Sequence, residues 1–72
     1  MNLRIMDNDA LFAKLRVVRT DLEDLEAALK MIPESSKLAW LSITCAIRYQ
    51  QKKLETIENE IMRREKENEN HE

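Results

Sequence analysis

Glycine is absent from the 72 residues, proline occurs once (Pro33) and cysteine once (Cys45). Without glycine there is no phosphate-cradling loop, and with a single proline nearly every position is compatible with helix. One cysteine excludes an internal disulfide, and a lone thiol in an apolar stretch suits a reducing compartment. With no histidine available as a base, Cys45 is expected to be an inert structural thiol rather than a nucleophile. The one histidine, His71, has no second imidazole or thiol beside it to complete a metal site, and is expected to be a solvated end.

Strand patterning is missing too, because no run alternates with a period of two. No apolar run approaches the ~20 residues needed to span a bilayer. Residues 1–7 contain no apolar core of signal-peptide length. The expectation is a cytoplasmic chain without membrane insertion. Charge of one sign is also lacking. Net charge is −2; residues 1–32 carry five basic and six acidic groups, residues 33–72 seven and eight. That balance makes no electrostatic case for nucleic acid or an anionic membrane, and Arg63, Arg64 and Lys66 alternate with glutamates. With no cofactor motif and only exposed paired carboxylates such as Glu23 and Glu26, the chain reads as a non-enzyme.

Helical periodicity is abundant by contrast. Leu11, Leu15, Val18, Leu22, Leu25, Leu29 and Ile32 recur at alternating spacings of four and three, a strict heptad seam. Pro33 disfavours helical backbone at Ile32 and stops that helix. Ser35 or Ser36 can cap the next one, and Asp7, Asn8 and Asp9 are cap candidates for the first. A second seam follows: Trp40, Ile43, Ile47, Gln50, Leu54, Ile57 and Ile61. The two seams mirror each other about position 36, which predicts an αα-hairpin. Helices are expected over about 9–32 and 36–66, with the turn near 33–36. Residues 1–8 are expected to be a flexible N-terminus and residues 67–72 a charged, partly disordered tail. The same register places Lys14 opposite Glu60, Asp21 opposite Lys53 and Ala28 opposite Ala46. Gln50, the one polar seam residue, is expected to reach solvent at the edge.

A hairpin buries one stripe per helix, yet nine of the twelve positions from Leu38 to Tyr49 are apolar. Leu38, Leu41, Cys45 and Tyr49 form a second stripe pointing away from the seam. Met31 and Val17 also fall off the seam, and Phe12 sits at its edge. Surplus apolar surface of this kind marks a protein–protein site. Met31, Leu38, Trp40, Leu41, Cys45 and Tyr49 are therefore the candidate partner-binding residues.

The stretches Leu22–Lys30 before the turn and Tyr49–Glu55 after it, with the helix–Pro/Ser turn–helix layout, resemble the small co-chaperones of type III secretion needle subunits (the YscE, PscE, SsaE and EscE group). The resemblance covers residues of about 10–60. It implies a helical hairpin bound to a larger TPR-like chaperone, the pair holding a needle subunit soluble in the cytoplasm until export. A shorter similarity, over Ile57–Arg64, is to a small hairpin inhibitor of sporulation histidine kinases. Three readings stand at this point: a co-chaperone of this kind, a homodimeric four-helix bundle burying the stripe against its own copy, and an inhibitor of a kinase or other target.

Overall fold

The computed structural model describes residues 3–70 and is an antiparallel two-helix hairpin, with no strand among the described residues. A 3-10 turn, Leu3–Ile5, precedes helix α1 (Asn8–Met31) and helix α2 (Lys37–Asn70). At about 1.5 Å rise per residue, the 34 residues of α2 account for most of the 57 Å long axis; the other two dimensions are 19 and 15 Å.

The helix ends follow from local chemistry. Asp7 is the N-cap of α1: its backbone is extended and its carboxylate accepts from the Ala10 N–H at 2.7 Å. Asp9 in the first turn and Lys30 in the last both favour the α1 dipole. At the other end Ile32 is extended, as its position before proline requires, and its N–H still donates to Leu29 O at 3.3 Å. The turn closes with Ser36 N–H donating to Pro33 O at 3.0 Å, and Trp40 N–H donating to Ser36 O opens α2. No described residue has a positive φ, so a chain without glycine makes this reversal unstrained.

Leu11 and Ile57 are fully buried, and Leu15, Val18, Leu22 and Ile47 nearly so. Leu25, Leu29, Ile43, Leu54 and Ile61 pack against them half-buried. Burying a Leu or Ile side chain contributes about 1.5–3 kcal/mol, so this seam is the main source of stability.

Several expectations need correction. The N-terminal segment is folded from Leu3 onward: Leu3 is buried and Met6 packs on the core. The reason is that Leu3 adds an apolar layer to the core cluster, and Arg64 of α2 holds the backbone of this segment by donating to Leu3 O and Met6 O. Residues 67–70 continue α2 as helix rather than forming a disordered tail. Met1, Asn2, His71 and Glu72 lie outside the described residues, and with them the expectations for His71 and the last of the tail. Trp40 was expected on the seam and is 48% exposed; its opposite number, Ile32, is extended backbone beyond the end of α1, so no helix faces it. The cross-helix pairs Lys14–Glu60 and Asp21–Lys53 do not form. Glu60 is taken by Arg63 and Arg64 within its own helix, and the Lys53 ammonium lies 5.0 Å over the Tyr49 ring. Partners at i+3 and i+4 are nearer to hand than partners across a hairpin.

Gln50 does not put its oxygen into solvent. Its Oε1 is buried and accepts no hydrogen bond from the described residues. An unsatisfied buried acceptor costs about 1–3 kcal/mol. Gln50→Leu is therefore expected to raise the stability of the hairpin by about 1 kcal/mol, measured as the urea midpoint of helicity loss. A lowered midpoint would mean that Gln50 fixes the pairing register instead.

Candidate functional site

The first half of α2 carries two apolar faces at once. Ile43, Ile47 and Leu54 turn toward α1, while Leu38, Leu41, Cys45 and Tyr49, at helical spacing, lie on the other side. The second face has no cover: Leu38 is 83% exposed, Leu41 54% and Tyr49 61%. Cys45 is a free, exposed thiol on the same stripe, not a thiol enclosed by structure. Met31, the last residue of α1, is 84% exposed. All six candidate partner-binding residues thus lie on the surface, toward the closed end of the hairpin.

The structure groups them in two places. Trp40 and Leu41 line an open hollow of about 510 Å³ together with Glu34 and Lys37. Farther along, Tyr49 borders a shallow depression with Lys52, Lys53 and Thr56. Glu34, Lys37 and Lys52 were not singled out by periodicity, because a charge beside an apolar stripe is the ordinary composition of a helix flank. Phe12, Val17 and Met62 are also exposed, with Phe12 and Met62 bordering one groove at the open end beside Arg19, Glu58 and Glu65.

The open end is held by a charged clasp. Glu60, only 9% exposed, accepts from Arg63 Nη2 at 2.7 Å and Nε at 3.0 Å, and from Arg64 Nε at 3.0 Å. Arg63 also reaches Glu67 at 2.6 Å. Arg64 then spans to the N-terminal segment, donating to Met6 O at 2.6 Å, Leu3 O at 2.9 Å and Asn8 Oδ1 at 2.8 Å. One guanidinium therefore ties the 3-10 turn to α2, satisfying Met6 O and adding a second donor to Leu3 O, which also accepts from Met6 N–H. The hydrogen bond from Arg63 is the main cause that lowers the Glu60 carboxyl to about 2 from its ordinary 4.5; burial opposes it, and the Arg64 hydrogen bond adds to it. The same bond raises the Arg63 guanidinium.

No group of three or more His, Cys, Asp or Glu side chains among the described residues is placed to hold a metal ion. No described helix is long and apolar enough to cross a membrane. No protein-family model, curated protein or solved structure matches the chain significantly.

Because the fold lowers the Glu60 carboxyl, its contribution to stability is present above about pH 4.5 and is lost as pH falls from there toward about 2. Thermal melts of the protein and its Glu60→Gln variant, followed by circular dichroism, are expected to differ near neutral pH and to converge across that window. A difference that persists unchanged at low pH would show that the arginines do not hold the carboxylate in solution.

Proposed function

We propose that the chain is a non-enzymatic binding module that docks on a larger helical protein through the outward stripe of α2. The observation that supports this is the exposure of Met31, Leu38, Trp40, Leu41 and Tyr49 toward one end of the hairpin, five of its nine large exposed apolar side chains among the described residues. An amphipathic helix offering anchors at i, i+3, i+7 and i+11 suits a hydrophobic groove. Trp40 and Tyr49, as aromatic anchors, are the residues to carry most of the binding energy.

The resemblance of Leu22–Lys30 and Tyr49–Glu55 to needle co-chaperones supplies the identity of the partner in this proposal. The hairpin stabilises a TPR-like chaperone, and the pair keeps a type III needle subunit soluble in the cytoplasm. The concave surface of a helical-repeat protein is the kind of groove such a stripe fits. A second reading draws on the same exposure: two copies could cover the stripe in a four-helix bundle.

Leu41→Glu places a charge in the middle of the stripe at a position outside the core cluster. It is expected to leave helicity unchanged and to abolish co-purification with a co-expressed TPR-like chaperone. Retained co-purification would move the interface off this stripe. Sedimentation equilibrium of the chain alone separates the second reading, since a tight, fully helical dimer would favour the bundle.

A further inference from the structure

The charge on α2 changes sign along its length. Between Ser35 and Leu54 there are four basic side chains, Lys37, Arg48, Lys52 and Lys53, and no acidic one; between Glu55 and Asn70 there are three basic and six acidic. This runs against the helix dipole, which favours acids at the N-terminus and bases at the C-terminus. The first turn of α2 has no acidic residue and its last turn no basic one, whereas α1 obeys the rule at both ends. Departures from a local rule without local compensation fall at functional positions. Here the departure coincides with the exposed stripe. Lys37, Leu41, Arg48 and Lys52 fall at i, i+4, i+11 and i+15 and so share one face, and Lys53 borders the other side by its contact with Tyr49. Lys37, Arg48 and Lys52 have no carboxylate partner among the described residues.

From this pattern we infer that the partner's docking groove is acidic: apolar in its floor and lined with carboxylates at the rim, opposite Lys37, Arg48 and Lys52. The inference rests on the α2 stripe being the docking surface. Charge complementarity at an interface rim suppresses wrong partners and speeds association. A second copy of the chain meets the stripe with the same positive charge, which disfavours like-with-like stacking. A lipid surface is disfavoured by shape, because Trp40 lines a hollow rather than a protrusion.

Trp40 is the only tryptophan, so its emission reports occupancy of the hollow. The full chain is titrated with two synthetic amphipathic helices that share one leucine face, the other positions being glutamate in one and lysine in the other. Vesicles of mixed phosphatidylcholine and phosphatidylserine form a third arm. The glutamate helix is expected to shift Trp40 emission to the blue and to bind about tenfold or more tightly than the lysine helix, with affinity falling steeply as salt is added. The triple variant Lys37→Glu, Arg48→Glu, Lys52→Glu, checked for helicity, is expected to reverse that preference. Equal affinity for both helices would overturn the acidic groove and leave the docking stripe standing. A response to vesicles alone would overturn the inference in favour of an anionic lipid surface. A blue shift that depends only on the chain's own concentration would assign the stripe to a second copy and overturn it likewise. No response in any arm would overturn the docking stripe itself.

Discussion

Two helices in contact share a single line, and each can turn only one face to it. That geometric limit governs everything else in this molecule. The α1 helix conforms: its apolar residues lie mostly on one heptad seam, and its other faces are charged. The first half of α2 does not conform, since it carries apolar residues on two opposite faces and only one can be covered by α1. The surplus must therefore face outward, whatever the details of register. A chain of this length buries only about 60% of its unfolded surface, and leaving large side chains in solvent makes a marginal fold more so.

The two ends of the hairpin answer this limit differently. At the open end a third element arrives: Leu3 and Met6 add apolar cover, and Arg64 holds their backbone while Glu60 holds Arg64. The fully buried residues, Leu11 and Ile57, are at this end. At the closed end the turn is unstrained but nothing packs over it, and no ion pair of the described residues lies there. Few buried contacts and no polar clasp make the closed end the region of lower local stability. The polar clasp and the fully buried layer thus lie at one end of the rod, and the two-faced apolar stretch of α2 at the other, although Ile5, Phe12 and Met62 leave some apolar surface at the clasped end as well.

The hairpin, its turn and the outward stripe were legible from spacing alone, because helical period and the stop at Pro33 are local properties of the chain. Helix ends came within a residue at the turn, where proline dictates backbone. What could not be read was set by contacts between segments distant in sequence, or by competition between nearby ones. Burial of Leu3 depends on Arg64, some sixty positions away, meeting carbonyls that carry no side-chain signal. The clasp on Glu60 was missed because a cross-helix partner, Lys14, looked complementary by register, while two guanidiniums stood closer on the same helix. Whether Gln50 reaches solvent depends on the breadth of the seam at that layer, which is a packing property and not a local one. The basic flank of the stripe does not show in the net charge of either half of the chain, because the cations of early α2 and the glutamates of late α2 fall in the same half and nearly cancel.

An exposed stripe of this kind also links folding to binding. Any partner that covers the stripe binds the folded hairpin and not the unfolded chain, so it stabilises the fold by about 2.7 kcal/mol when present at a hundred times its dissociation constant. For a two-helix chain that increment is comparable with the whole stability a small core supplies, roughly 3–5 kcal/mol. The closed end gains most, because its cost of exposure is removed directly, while the clasped open end is already satisfied. With a partner on the stripe, the closed end would be where occupancy is converted into stability. A polar stripe would leave less apolar surface in solvent when the chain is alone, and covering it would add correspondingly less stability.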